Sequence, residues 1–191
     1  MKNIFILVGP SGAGKDYLLE NLLNIQKKLY CIPSYTTRPP RTGEGVREYH
    51  YVDNYEFEKA WISGKILEKV VEHQHLYGTD KEAIDRERSN GRSLITIVEP
   101  RGVESFKKEY GDSVKSIYID PGSIDDLEQR IRTDSNRIGQ TEKEISIRLK
   151  REKREIAYKD KADFVVSNKN GKENNALRQL KHIIENETHN S

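Results

Sequence analysis

The stretch Gly9-Pro10-Ser11-Gly12-Ala13-Gly14-Lys15 constrains the fold of this chain more than any other part of the sequence. It follows an apolar run, residues 4–8, and precedes a helical pattern that begins near Tyr17. A strand, a glycine-rich turn and a helix in this order are typical of a phosphate-binding P-loop. The glycines let the backbone wrap closely, so that its N–H groups form an anion-binding concavity at the start of the helix. We therefore expect Lys15 to reach the terminal phosphates of a nucleoside triphosphate.

Asp16 stands where the P-loop pattern has Ser or Thr, whose hydroxyl contacts Mg²⁺. An acidic residue also suits the first turn of a helix, because it meets the positive end of the helix dipole. A carboxylate beside a triphosphate would repel it unless Mg²⁺ lies between the two. Since hard cations prefer carboxylate oxygen, we interpret Asp16 as a metal ligand; a role in starting the helix is the alternative.

Composition restricts the classes of protein to which the chain can belong. Its 191 residues suit one α/β domain. Charged and apolar residues each make up 34 % and the net charge is only +2, which gives no sign of a nucleic-acid or membrane surface. The single cysteine, Cys31, excludes an internal disulfide and favours a cytoplasmic location. The sequence predicts no signal peptide and no membrane-spanning stretch.

The rest of the chain alternates strand-like apolar runs with helical patterns. Core strands after residues 4–8 are predicted at 29–32, 93–98, 114–119 and 164–166. Capped helix starts are predicted at Asp53 with Glu56, Thr79 with Glu82, and Ser123 with Asp126. This alternation favours an α/β P-loop NTPase fold of three layers, with a mainly parallel five-stranded core sheet and helices on both faces.

Two further intervals differ from this alternating core. Residues 33–79 are strand-rich, with a strand-like run at 66–71, and are predicted to form a small insertion on the substrate side. Residues 127–155 are polar and are predicted to form a helical lid. The core would then comprise residues 1–32, 80–126 and 156–191 of one domain.

The segment from Ser34 to Glu44 reads Ser-Tyr-Thr-Thr-Arg-Pro-Pro-Arg-Thr-Gly-Glu. Its adjacent prolines exclude a helix and favour extended structure. Arg38 and Arg41 flank this rigid pair, and the planar guanidinium group matches phosphate oxygens at two points. The segment suits anion recognition, although a solvated basic loop would have a similar composition.

Together, the P-loop, this arginine-containing segment, Glu68 and the run Tyr77-Gly78-Thr79 make the chain resemble the guanylate kinase family over nearly its full length. The resemblance implies transfer of the γ-phosphoryl group of ATP to GMP or dGMP, with Mg²⁺. It also implies a core domain, a lid and a monophosphate-binding insertion. A monomer or a homodimer is expected.

The resemblance assigns roles to individual residues. The ATP-binding residues would be Gly9, Pro10, Ser11, Gly12, Ala13, Gly14, Lys15, Asp16 and, on the adenine side, Asn168. The acceptor's phosphate would be held by Ser34, Arg38, Arg41, Tyr49 and Tyr77, with Ser34 also near the base. The guanine base would be bound by Glu68, Thr79 and Glu99. The catalytic cations would be Lys15, Arg38, Arg130, Arg137 and Arg148, of which the last three close on the ATP phosphates.

The chemistry of guanine agrees with the role implied for Glu68. Guanine presents two adjacent donors, its N1–H and 2-amino groups, and one carboxylate can accept both. Adenine lacks this pair and would leave a buried carboxylate unpaired, a penalty of a few kcal/mol.

The chain also departs from the family pattern at two places. Asp16 replaces Ser or Thr, and residues Ile97, Val98 and Glu99 stand where the family usually has Asp-Ile-Asp. Asp16 would compensate for the acid missing at Ile97. These departures keep open the alternative of a kinase for another phosphorylated acceptor, such as ribose 1,5-bisphosphate. A catalytically silent binding module is a further alternative, because a fold can persist without its chemistry.

Overall fold

The computed structural model describes residues 2–40, 45–72, 74–133 and 155–189. Its strands, numbered along the chain, are β1 Ile4–Val8, β2 Leu29–Cys31, β3 Ser34–Thr36, β4 Tyr49–Tyr51, β5 Val70–Glu72, β6 His75–Thr79, β7 Ser93–Ile97, β8 Val114–Asp120 and β9 Phe164–Ser167. Five of them form a sheet in the order β2-β7-β1-β8-β9, in which every neighbouring pair is parallel. The predicted five-stranded parallel core is confirmed.

Helices cover both faces of this sheet. The α-helices of the described residues are α1 Lys15–Ile25, α2 Asn54–Ile62, α3 Lys81–Ser89, α4 Pro100–Tyr110, α5 Ile124–Arg132 and α6 Glu173–His189. Of these, α2 packs on a second, smaller sheet instead. Side chains of β1 alternate between two buried faces, as the pleat of a strand requires. Phe5 belongs to the apolar cluster that contains Leu180 of α6, whereas Ile6 belongs to the cluster that contains Phe106 of α4. The predicted three-layer α/β arrangement is therefore confirmed.

The position of β1 fixes where a ligand can bind. β1 lies at the centre of the sheet, and the chain continues from its carboxyl end directly into the P-loop and α1. From β1 the chain continues to β2 on one side of the sheet, whereas from the neighbouring β8 it continues to β9 on the other. Ligands of open α/β sheets bind at such a switch point.

The strand-rich interval forms a second sheet with the order β4-β3-β6-β5. β3 pairs in parallel with β4 and antiparallel with β6, which also pairs antiparallel with β5. α2 covers one side of this sheet through Phe57 and Ala60, which pack with Tyr35 and Ile66. The boundaries of the insertion and of the lid stay predictions.

The predicted helix start at Asp53 is confirmed. Its side chain accepts a hydrogen bond from the backbone N–H of Glu56, and the Glu56 side chain accepts one from Asp53 N–H. The same reciprocal arrangement starts α5 at Ser123 and Asp126. Each box satisfies backbone donors that lack partners within the helix.

Two local predictions were wrong. Asp80, not Thr79, caps α3, because Thr79 is held in β6 opposite Ser34 and Asp80 accepts from the N–H of Ala83. The strand predicted at 66–71 is regular only over Val70–Glu72, with a single bridge between Ile66 and Asp80. Among the described residues, no helix has both the length and the apolar character needed to cross a membrane.

Candidate active site

The P-loop requires glycine where its backbone turns most tightly. Gly9 and Gly14 have φ angles of 144° and 85°. A Cβ atom on Gly9 would lie 2.6 Å from the carbonyl oxygen of Ile119, and one on Gly14 would lie 2.5 Å from the side-chain nitrogen of Asn168. Any larger residue would push the loop away from β8 and from Asn168, so the close wrapping predicted from the sequence is present.

Lys15 lies across its own loop. Its ammonium group donates to the carbonyl oxygens of Gly9 and Pro10, the latter at 2.9 Å. A phosphate is a stronger partner than a carbonyl for an ammonium group, because both the donor and the acceptor are then charged. Lys15 is thus held at the loop by contacts that a bound phosphate can replace.

Asn168 stabilises the P-loop through a buried hydrogen bond. It is only 1 % exposed, and its side-chain N–H donates to the carbonyl oxygen of Ala13 at 2.7 Å. Its backbone N–H donates to Asp120 at 2.7 Å, which fixes the residue at the end of β9. The adenine contact implied by the family resemblance stays a prediction.

Arg130 places a cation at the rim of the P-loop. Its guanidinium donates to the carbonyl oxygens of Asn168 at 2.7 Å and Gly12 at 3.3 Å, while Nε donates to Asn170 at 2.7 Å. α5 brings it there by packing Leu127 against the loop. This position agrees with the predicted role of Arg130 on the ATP side.

The second sheet gathers the predicted acceptor residues on one face. Tyr49 of β4 lies opposite Ser34 of β3, and Ser34 lies opposite Thr79 of β6. Residues directly opposite each other project to the same face, as does Tyr77, two residues before Thr79. Strand register therefore brings together four residues that the sequence separates by up to 45 positions.

Arg38 lies beside this face and is 6 % exposed. Its guanidinium carbon lies 5.4 Å from the ring centre of Tyr49 and 5.8 Å from that of Tyr51. Aromatic faces attract a guanidinium group at such distances. A buried cation next to the phenol of Tyr49 is suited to bind an anionic group.

Glu68 is a buried carboxylate that uses only one of its two oxygens in hydrogen bonds with the described residues. Its Oε1 accepts a hydrogen bond from the hydroxyl of Thr79 at 2.8 Å, while Oε2 has no hydrogen-bond partner among the described residues. Burial raises the pKa of Glu68 to about 7, although the hydrogen bonds of Thr79 oppose the rise. A buried acceptor without a partner is rare in folded proteins and indicates a place where a ligand donor can bind.

Two glycines allow neighbouring segments to enclose Glu68. A Cβ atom on Gly78 would lie 2.6 Å from the Glu68 carbonyl oxygen. A Cβ atom on Gly102 would lie 3.0 Å from Val98 Cβ and 3.6 Å from Glu68 Cγ, so the first turn of α4 packs against the glutamate. Glu99 precedes this turn as its cap and is half-buried, and its backbone carbonyl oxygen accepts from Gly102 N–H at 2.8 Å. Glu99 thus lies near the predicted base site.

Asp16 in the first turn of α1 lies close to Arg47, which precedes β4 of the second sheet. Arg47 Nη1 lies 3.8 Å from Asp16 Oδ1, and the Asp16 side chain is 79 % exposed. Sequence reasoning missed Arg47. Its spacing of two residues from Tyr49 could have revealed it, because alternate residues of an extended segment share a face.

Of the predicted site residues, Arg41, Arg137 and Arg148 lie outside the described residues.

Comparisons with known proteins identify the family of this chain. The family model described as "Guanylate kinase" matches residues 1–187. The chain belongs to the guanylate kinase family. It is 36 % identical over 169 residues to a guanylate kinase of Francisella tularensis, covering 86 % of this chain and 87 % of that protein. It is 33 % identical over 168 residues to the enzyme of Thermotoga maritima, covering 87 % and 79 %. The predicted family resemblance is confirmed.

A solved guanylate kinase shares the fold. The crystal structure of guanylate kinase from Anaplasma phagocytophilum has a TM-score of 0.75 and 24 % sequence identity, covering 98 % of this chain and 86 % of that one. Both curated relatives are named guanylate kinase, so the alternative of a kinase for another acceptor is not favoured.

Proposed function

We propose that this chain transfers the γ-phosphoryl group of ATP to GMP or dGMP, forming ADP and GDP or dGDP. The observation that carries this proposal is the buried Glu68, whose Oε2 has no hydrogen-bond partner among the described residues. Guanine supplies two adjacent donors for such a carboxylate. Adenine does not, and its binding would leave the buried oxygen unpaired.

The donor nucleotide is proposed to bind at the P-loop. Backbone N–H groups of the loop and the N-terminus of α1 favour the negative charge of the phosphates. Lys15 would exchange its bonds to Gly9 and Pro10 for phosphate oxygens, and Arg130 adds positive charge at the rim. Phosphoryl transfer depends mainly on such positioning and charge, so the protein needs no covalent catalysis.

Asp16 fits the Mg²⁺ that the family implies. Its carboxylate is exposed in the first turn of α1, and Mg²⁺ is usually bound through one or two carboxylates together with substrate phosphates. When bound, the ion would neutralise negative charge on the phosphates. Arg47 competes for the same carboxylate, because it lies 3.8 Å away in the free protein.

The acceptor's phosphate is proposed to bind on the face formed by Ser34, Tyr49 and Tyr77, next to Arg38. This phosphate is already an anion and can attack without a general base. Glu68 and Thr79 would hold the guanine base at the other end of the face, with Glu99 nearby. The acceptor is then oriented by contacts at both ends, which is how enzymes reduce the entropic part of a barrier.

The decisive experiment measures ADP release with ATP and a panel of acceptors: GMP, dGMP, AMP, UMP, CMP and ribose 1,5-bisphosphate. GMP and dGMP should give the highest kcat/KM, by about a hundredfold or more over AMP, because only guanine pairs with Glu68. A higher kcat/KM for any other acceptor would contradict the proposal. ADP release that does not depend on an acceptor would contradict it as well.

The proposal includes a cytoplasmic location, which the single cysteine favours. It requires only small-molecule partners, namely the two nucleotides. The state of the chain as a monomer or a homodimer stays a prediction.

A further inference from the structure

Arg47 contacts three elements, α1, β7 and β4. Its guanidinium lies 3.8 Å from the Asp16 carboxylate of α1 and donates to the carbonyl oxygen of Ile97 at the end of β7 over 3.5 Å. The guanidinium carbon also lies 5.2 Å from the ring centre of Tyr49 in β4. The Arg47 side chain is 23 % exposed, so it is largely buried and still reaches solvent.

Tyr49 is shared by two arginines. Arg38 and Arg47 approach its ring to 5.4 Å and 5.2 Å. A phosphate group beside this ring can bond to both guanidinium groups, because its oxygens accept charge-assisted hydrogen bonds. Arg38 and Tyr49 are the residues proposed above to hold the acceptor's phosphate. Arg47 is therefore placed at the same phosphate site, on the side that faces the P-loop.

The contacts of Arg47 that join these elements are weak in the free protein. Its carboxylate partner is exposed, and such a solvated pair contributes little to stability. Its bond to Ile97 is at the long end of the range for hydrogen bonds. Arg92 differs, because it pairs at 3.2 Å with the largely buried carboxylate of Glu87.

We propose that Arg47 is a phosphate-binding residue of the acceptor site, which binds the acceptor's phosphomonoester together with Arg38 and Tyr49. The inference rests on the proposed function. In the free protein Asp16 is one of its partners, and the incoming phosphate replaces this one. A phosphate offers a guanidinium group two parallel, charge-assisted hydrogen bonds, which a carboxylate at 3.8 Å does not provide.

The test separates phosphate binding from base binding. GMP and guanosine are titrated calorimetrically, without ATP, into the unsubstituted protein and into Arg47→Met and Arg47→Lys. Arg47→Met should weaken GMP binding by about 10- to 100-fold, the range for loss of a charged hydrogen bond, and should change guanosine binding less than twofold. Arg47→Lys keeps the charge without the planar fork. It should weaken GMP binding less than Arg47→Met does and should leave guanosine binding unchanged.

Arg92→Met is the matched control. Arg92 also lies over a tyrosine ring, 4.8 Å from the centre of Tyr30 in β2, and pairs with a carboxylate. It precedes the first residue of β7, whereas Arg47 contacts Ile97 at the other end of that strand. This variant should keep the ratio of GMP to guanosine affinity. A ratio that falls as far in Arg92→Met as in Arg47→Met would overturn the inference.

The remaining outcomes distinguish the inference from the proposed function. If the unsubstituted protein prefers GMP to guanosine and Arg47→Met keeps that preference, the inference is wrong and the proposed function stands. If Arg47→Met weakens both ligands equally, Arg47 is only structural, which also overturns the inference. If the unsubstituted protein binds neither ligand, the proposed function fails and the inference fails with it.

A second measurement tests the exchange of partners. Asp16→Asn removes the competing carboxylate, so it should strengthen GMP binding by about two- to fivefold, as expected for an exposed ion pair. The gain should disappear when Arg47→Met is also present. An equal gain in both backgrounds would contradict the exchange.

Discussion

Thr79 donates its hydroxyl hydrogen to Oε1 of Glu68 over 2.8 Å, and Oε2 of the same carboxylate has no hydrogen-bond partner in the described part of the chain. Thr79 thereby fixes the carboxylate plane and leaves the second oxygen available to a ligand. An unpaired buried acceptor lowers the stability of the folded protein. The position of Glu68 therefore favours ligand binding at the expense of stability.

Replacing Glu68 by Gln should selectively impair the use of GMP. The amide would place an NH₂ group against a guanine donor, so KM for GMP should rise about tenfold or more while KM for ATP changes little. Steady-state kinetics with each substrate varied in turn would measure this. Glu87→Gln is the control, because Glu87 is also largely buried but pairs with Arg86 and Arg92. Unchanged GMP kinetics in Glu68→Gln would place the base elsewhere.

GMP binding should depend on the ionisation of Glu68. Burial raises the pKa of this carboxyl to about 7 in the free protein, and only the ionised form accepts both guanine donors. The affinity for GMP should therefore fall as the pH is lowered from 8 to 6, by up to about tenfold per pH unit below the pKa. Calorimetric titrations across this range would measure the effect. Glu68→Gln should show only the smaller slope that comes from the second ionisation of the phosphate, and equal slopes would contradict the prediction.

The same pKa shift predicts that Glu68 destabilises the fold at neutral and alkaline pH. The folded-state pKa of about 7 exceeds the ordinary value of 4.5, so the folded protein holds a proton between these pH values that the unfolded chain releases. The stability associated with this proton is present below pH 4.5 and is lost as the pH rises through 7, by at most about 3 kcal/mol. Glu68→Gln should accordingly raise Tm at pH 8 relative to the unsubstituted protein, and less so at pH 5. Thermal unfolding at both pH values tests this, and an equal change in Tm at the two would contradict it.

Lys15→Ala should remove nearly all phosphoryl transfer and leave the fold intact. Lys15 makes its contacts with the carbonyls of its own loop, which can bond to water instead. We expect kcat to fall by at least about a hundredfold, because a charge that stabilises the transition state is lost. Kinetics and thermal unfolding would be compared with Lys28→Ala, which removes an exposed lysine away from the loop. Activity within threefold of the unsubstituted protein would contradict the P-loop assignment.

Asp16 should shape the dependence on Mg²⁺. If its carboxylate binds the metal, Asp16→Ser should raise the Mg²⁺ concentration needed for half-maximal rate. Without metal, the same carboxylate repels ATP, so Asp16→Ser and Asp16→Asn should both improve ATP binding in the presence of a chelator. A Mg²⁺ titration of the rate at fixed ATP, paired with ATP binding in chelator, measures both effects. If both curves stay unchanged in Asp16→Ser, Asp16 serves only to start the helix.

The sequence by itself determined the features that depend on a few neighbouring residues. The P-loop glycines, the alternating core of β1 and the capping boxes at Asp53 and Ser123 are local patterns, and each is present as predicted. The predicted start of α3 was wrong because two neighbouring residues are both able to cap that helix. Thr79 and Asp80 can both cap α3, and Asp80 does so because the backbone of Thr79 pairs with Ser34 and its hydroxyl bonds to Glu68.

Only the tertiary structure decided the contacts between distant segments. Asn168 supports the P-loop through Ala13, 155 residues away, and no local pattern indicates that partnership. Arg47 meets Asp16 although 31 positions separate them, and Arg47 directly precedes the segment that enters β4 and pairs with β3. Such contacts follow from strand order and register, which are fixed by packing over the whole chain rather than by the residues on either side.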